Sequence, residues 1–196
     1  MVLSGNVYSQ NNDAIQLTPD SLIGKSTPEF SGTSLAGINW DNEKLKGKVV
    51  LLNFWFIGCP PCMKEIKYFN NLHKEYQNSD FVLLSIAPQI EKDLILFNDT
   101  SKQSVPATLR DYFKAEPINY EIIPACDTKE LDDPNKVGVE CDNISKDFYV
   151  HGYPTTFLID KQGIIRQVMS GFVNTDDGGQ NIVDGYKELI EELLKK

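Results

Sequence analysis

No stretch of this chain stays apolar for long. The most continuous run, Val49-Val50-Leu51-Leu52, breaks at Asn53, far short of the roughly 18–20 residues of a transmembrane helix. Positive charge is scarce as well. Lysine and arginine total 19 against 28 aspartates and glutamates, a net charge of −9, which disfavours nucleic acid or an anionic membrane as the main partner. Histidine is confined to His73 and His151, and arginine to Arg110 and Arg166. The N-terminus, Met1 to Asp13, lacks a basic segment followed by an apolar one. No signal peptide is therefore visible, which leaves a cytoplasmic protein, a mature secreted form or a trimmed chain. The polar stretch Ser9 to Asp13 offers little to bury. Residues 1–21 read as a flexible tether, of the kind that follows a removed signal or a lipid anchor, and residues 22–196 as one domain.

What is present is a globular composition, 41% hydrophobic and 24% charged over 196 residues. A chain of this size buries a core without disulfides or metals, so its four cysteines need another reason to be there. Gly32 and Gly37 lie within a loosely alternating segment, Pro28 to Leu45, that predicts a β-hairpin. Val49 to Phe56 has the unbroken apolar character of a central strand covered on both faces. A helix should start near Pro60 and end around Asn78-Ser79, with Cys62, Ile66, Phe69, Leu72 and Tyr76 along one face. Phe81 to Ala87 predicts a second buried strand closed by Pro88. Helical patterns follow at 91–98 and 107–114, then a short strand from Tyr120 to Ile123. Residues 125–144 read as an inserted polar loop. A helical turn at 145–150, a strand from Thr155 to Ile159, a turn at 160–163 and a returning strand to Met169 come next. A last helix carries Ile182, Tyr186, Leu189 and Leu193 on one face, with Val183 and Ile190 flanking. This order implies an α/β layer architecture, a mixed central sheet with helices on both faces.

The chemistry concentrates in Cys59-Pro60-Pro61-Cys62, at the junction of a buried strand and a helix. A helix N-terminus carries partial positive charge and unpaired N–H groups, which stabilise a thiolate. The thiolate is the nucleophile of disulfide exchange, and a second cysteine one turn on can resolve the mixed disulfide. Cys59 should be exposed and Cys62 shielded. The two prolines remove N–H donors near Cys59 and stiffen the loop, opposing the helix-end effect on the thiol. A zinc site would need two more ligands, and Cys126 and Cys141 lack the spacing of a second CxxC, so no metal is expected.

The segment Asn53 to Glu65, Asn-Phe-Trp-Phe-Ile-Gly-Cys-Pro-Pro-Cys-Met-Lys-Glu, resembles the active-site segment of the TlpA-like branch of the thioredoxin superfamily. Downstream, Gly152 to Asp160 resembles that family's cis-proline strand, and Gly47-Lys48-Val49-Val50 is a weaker match. The resemblance covers residues 22–195. It implies a thioredoxin-like fold and an extracytoplasmic (periplasm or cell-envelope) thiol–disulfide oxidoreductase. Such a protein exchanges disulfides with protein substrates, is recharged by a redox partner protein and needs no dissociable cofactor. A monomer is expected, with any membrane tether outside this sequence. By the same resemblance Pro154 would be cis and lie opposite the CxxC, and Tyr153, with Pro60 and Pro61, would contact substrate. Two departures stand out. Gly58 replaces the tryptophan usual before the first cysteine, which would open the site. Asn53 occupies the place of thioredoxin's buried aspartate and cannot take a proton. Glu65, one turn beyond Cys62 on the edge of the apolar stripe, is the candidate proton acceptor, with a pKa raised by partial burial. An acidic residue placed for the helix dipole is the plainer alternative.

Cys126 and Cys141 bracket the insertion. A structural disulfide there would stabilise by about 3 kcal/mol for a loop near 15 residues and would point to an oxidising compartment. A second redox relay, or unpaired or metal-bound cysteines, are the alternatives. His73 lies roughly 16 Å along the helix from Cys62, too far to act on it, and nothing fixes the geometry of His151. The direction of electron flow is not set by the sequence, with reductant the favoured one. Two rival functions remain. A peroxiredoxin would want threonine or serine three residues before the cysteine, where Phe56 stands, and a nearby arginine. A copper-delivery module would favour a CxxxC and a distant histidine.

Overall fold

The structure is a computed structural model that describes residues 17–126, 143–171 and 180–196. Its centre is a five-stranded mixed sheet in the order β5-β4-β3-β6-β7. Strand β3 (Val49–Phe54) is buried at every position, as its uninterrupted apolar sequence requires. It pairs in parallel with β4 (Phe81–Ile90) and antiparallel with β6 (Thr155–Ile159). β5 (Glu121–Cys126) and β7 (Ile165–Ser170) form the edges. A separate antiparallel hairpin of β1 (Ser31–Thr33) and β2 (Asn39–Asp41) precedes them, followed by a short helix α1 (Asn42–Leu45).

Because side chains alternate along a strand, β3 feeds two cores. Val49, Leu51 and Trp55 point to one face. There they meet Ile66, Phe69 and Leu72 of α2 (Pro60–Tyr76), Leu94 and Phe97 of α3 (Glu91–Asn98), and Tyr186, Ile190 and Leu193 of α6 (Gln180–Leu194). Val50, Leu52 and Phe54 point to the other, with Phe30, Trp40, Phe148 and Phe157. The single helical turn Pro19–Leu22 already packs onto the domain, with Pro19 and Leu22 buried. The start of the chain, at 1–16, lies outside the described residues.

Several boundaries differ from those the sequence suggests. β4 does not stop at Pro88 but runs through it to Ile90, because its pairing with β5 shifts register between Ala87 and Ile90, a position that does not need the missing N–H. β5 likewise continues past Pro124 to Cys126, as an edge strand permits. β5 thus takes in Ala125 and Cys126, where the sequence suggests the start of an inserted loop, and residues 127–142 lie outside the described residues. Helix α4 (Val105–Tyr112) starts two residues before the expected 107, with Ser104 as its cap and Pro106 in its first turn. Helix α2 ends at Tyr76, whose carbonyl accepts from both the backbone and the hydroxyl of Ser79. A short helix α5 (Asn143–Asp147) precedes the buried Phe148.

Candidate active site

Cys59 is the N-cap of α2 and is disulfide-bonded to Cys62. Its Sγ accepts a hydrogen bond from the Cys62 N–H at 3.3 Å. A helix start offers several unpaired N–H groups. Here the first two positions are Pro60 and Pro61, which have none. The Cys62 amide is thus the first backbone donor of this helix, and it serves the sulfur of Cys59.

The expectation of an exposed first cysteine is corrected by the structure. Cys59 is 2% exposed and Cys62 is fully buried. The bond to Cys62 draws the sulfur inward, among Trp55, Met63 and the rest of the core on that face. Nor does Gly58 open the site. Its φ of +92° lies in the left-handed region, where glycine is favoured, and a β-carbon there would stand 3.8 Å from Leu109 of α4. Glycine precedes the cysteine because the backbone turns sharply at that point. Upstream, the Ile57 N–H donates to the side-chain oxygen of Gln89 at 3.3 Å, tying the motif to the end of β4.

The Tyr153-Pro154 peptide is cis. Pairing of Phe54 with Thr155 puts the chain just before β6 beside the chain just after β3. Accordingly, the Tyr153 ring stands edge-on to Phe56 at 5.3 Å, and the Tyr153 hydroxyl donates to Ser145 at 3.5 Å. The Pro154 carbonyl accepts from the Gly171 N–H at 2.7 Å. Pro60 is exposed and Pro61 half-buried.

Glu65 is not at the margin of the stripe but inside the core, 4% exposed. Its Oε1 accepts from Asn53 Nδ2 at 2.8 Å, and the same nitrogen donates to Thr156 Oγ1 at 3.0 Å. Burial pushes the Glu65 carboxyl up to about 8, with the Asn53 bond pulling the other way. Burial and the charge of Glu65 also hold the phenols of Tyr120 and Tyr186 above their usual range, and Tyr186 hydrogen-bonds with Thr156. Asn53, Thr156, Tyr186 and Gln89 were not singled out for these roles by the sequence. Asn53 and Thr156 are cross-strand partners 103 residues apart, and Tyr186 has the spacing of an ordinary core residue.

Other candidates lie elsewhere. Cys126, at the end of β5, is 5% exposed and disulfide-bonded; Cys141 lies outside the described residues. His73 is half-buried against the Tyr120 ring. His151 is exposed, its ring nitrogen 3.2 Å from the Leu17 carbonyl. Both arginines are committed. Arg110 donates to the Phe97 carbonyl and to Asp111, and Arg166 to Asp160. Among the described residues no group of histidine, cysteine and acidic side chains is arranged to hold a metal ion.

Several known proteins are similar to this chain in sequence or in fold. A thiol-disulfide oxidoreductase ResA of Bacillus thuringiensis is 29% identical over 174 residues, covering 89% of this chain and 78% of that protein. A thiol:disulfide interchange protein DsbE of Vibrio cholerae is 29% identical over 173 residues, covering 87% and 77%. In fold, the thioredoxin domain of a Bacteroides vulgatus thiol-disulfide oxidoreductase superposes with a TM-score of 0.54 at 18% identity, over 86% of this chain and 97% of that one. The thioredoxin-like α/β fold expected from the two sequence motifs is thereby met. The AhpC/TSA family model matches residues 23–168, from just after the helical turn Pro19–Leu22 into β7, and with about three quarters of its length so matched the chain belongs to the AhpC/TSA family.

Proposed function

We propose that the chain is a thiol–disulfide oxidoreductase acting on protein substrates outside the cytoplasm through Cys59 and Cys62. The observation that carries this reading is the Cys59–Cys62 disulfide at the start of α2, with a buried carboxyl three residues on and a cis-proline bond at the head of the strand paired with β3. In the reduced protein the Cys59 thiolate attacks a substrate disulfide. One substrate sulfur leaves as a thiolate and the other stays joined to Cys59. In the fraction of molecules whose Glu65 is ionised, the Cys62 thiol gives its proton to that carboxylate and attacks Cys59 Sγ, freeing the second substrate sulfur. The substrate has gained two electrons, and the enzyme holds the disulfide seen here. A dithiol partner protein reverses the last change.

Glu65 suits its part. An ordinary thiol titrates near about 8.5, and proton transfer is most efficient between groups of matched affinity near the working pH. A carboxyl at about 8 is so matched. Tyr153 and Pro154, with Pro60 and Pro61, border the substrate's approach. The direction is reduction. A strong oxidant is one whose reduced form is stabilised, and Pro60 and Pro61 withhold two donors that would stabilise the thiolate. The disulfide at Cys126 supports an oxidising compartment and a clamp on the inserted chain. No described helix is long and apolar enough to cross a membrane. The protein works as a monomer, and because Pro19 and Leu22 pack onto the domain, a tether role is left only to the chain before Pro19. Peroxidase chemistry has less support, since Phe56 offers no hydroxyl and both arginines are engaged.

The test is a redox titration that reads all four cysteines by differential alkylation and mass spectrometry. A Cys59–Cys62 midpoint near about −270 mV marks a reductant, and one near about −120 mV an oxidant. Cysteines that never pair would end the proposal.

A further inference from the structure

Asn53 holds a position that its sequence neighbours do not explain. It is the next-to-last residue of β3, 1% exposed, between Leu52 and Phe54. Burying an amide there is costly unless its hydrogen bonds are made. The two hydrogens on its nitrogen go to two acceptors from different elements, Glu65 of α2 and Thr156 of β6. The Thr156 hydroxyl in turn pairs with Tyr186 of α6. Glu65 therefore meets a donor whose direction is fixed at its far side by a second strand and the last helix.

We infer that Asn53, oriented by Thr156 and through it by Tyr186, is the positioning residue that sets how tightly the Glu65 carboxyl holds its proton. The inference rests on the proposed function only in taking Glu65 as the acceptor of the Cys62 proton. An amide N–H can only donate, so it favours the carboxylate over the neutral acid. Burial favours the neutral acid. Without Asn53 burial acts unopposed, and Glu65 stays protonated across the range in which thiols react. Asn53 thus does by hydrogen bonding what a buried aspartate in its place would do by carrying the proton itself. The ionisable groups facing Glu65 are the phenols of Tyr120, on the segment entering β5, and of Tyr186; both stay protonated at neutral pH. Cys62, on its own helix, is the thiol that it serves.

The experiment follows the side-chain carboxyl carbon of Glu65 by NMR in the full chain labelled at glutamate, oxidised. Alongside it, the pH profile of exchange is measured on the reduced chain with a small disulfide. In Asn53→Ala the Glu65 titration should rise by about one to two units, the worth of a hydrogen bond to a charged group, and the rate profile should move with it. Thr156→Val should raise it by less, and Tyr186→Phe by least. A Glu65 titration unmoved in folded Asn53→Ala overturns the inference. Should that variant fail to fold, Thr156→Val decides, and an unmoved titration there overturns it equally. A shifted titration with an unshifted rate profile upholds the role of Asn53 and instead removes Glu65 from the proton path.

Discussion

The two faces of the central sheet are built from the same strands and differ in kind. On one, Phe54, Phe148 and Phe157 stack edge-to-face or tilted, their centroids 5.1–5.6 Å apart, with Phe30 5.9 Å from Phe148. Nothing on that cluster titrates. On the other, the same alternation places Asn53 and Thr156 side by side beneath α2 and α6, with Glu65 against them. Aromatic packing of this sort stabilises through large buried area and ring geometry. A buried polar set is high-stakes and stabilises only when every member has a partner. The division suggests that the dry face holds the sheet rigid so that the wet face can keep a carboxyl at an unusual proton affinity. Substitutions on the two faces should fail in opposite ways.

The largest effect sharpens that contrast. Cys59→Ser should abolish exchange while leaving the far-UV spectrum and the urea midpoint close to those of the reduced parent; residual turnover would mean that another thiol does the chemistry. Next, Phe157→Ala should cost about 3–5 kcal/mol of stability in urea unfolding with the exchange rate of the surviving folded fraction unchanged. A loss below about 1 kcal/mol would show that the aromatic face relaxes around the gap. Third, Glu65→Gln should slow exchange by about 100-fold, the lower end of general acid–base effects, and flatten the pH dependence of stability. The sign follows from its affinity. Folded Glu65 titrates at about 8 against 4.5 when unfolded, so between those values only the folded chain keeps the proton. Its contribution is complete below about 4.5, declines by up to about 1.4 kcal/mol per pH unit through the window, and is gone above 8. Urea midpoints taken from pH 5 to 9 on parent and Glu65→Gln should differ in slope, and parallel curves would contradict a buried neutral acid. Smallest of all, Lys46→Ala removes an exposed ion pair with Glu43 and should change stability by less than about 1 kcal/mol.

Much of this was legible in the chain, for identifiable reasons. β3 declares itself because a strand buried on both faces must be apolar throughout, and α2 because a single-sided stripe fits only a helix. The strand-to-helix placement of Cys59 and Cys62 follows from those two. What stayed hidden depends on contacts between distant segments. Nothing near Asn53 in sequence announces Thr156, since only strand pairing brings them together. The burial of Cys59 depends on which way its sulfur turns. Pro88 and Pro124 read as strand stops, because tolerance of proline depends on a register shift in one case and on an open edge in the other, neither of which is local. Gly32 illustrates the same limit. In sequence it is one glycine of a hairpin segment, yet a β-carbon there would lie 2.4 Å from Ile123, so its smallness lets the hairpin press against the edge strand.

The residues around Glu65 also set an order in time. The two reactive cysteines are made well before Thr156 and Tyr186, which lie far downstream of them. A polypeptide still emerging, or cut short before α6, carries both thiols and Glu65 but not the strand and helix that bury and orient that carboxyl. Its glutamate titrates like any exposed one, at the unfolded value of 4.5, and holds no proton at neutral pH. Matched thiol chemistry becomes available only once α6 has docked, so an element made long after α2 completes the site that α2 begins.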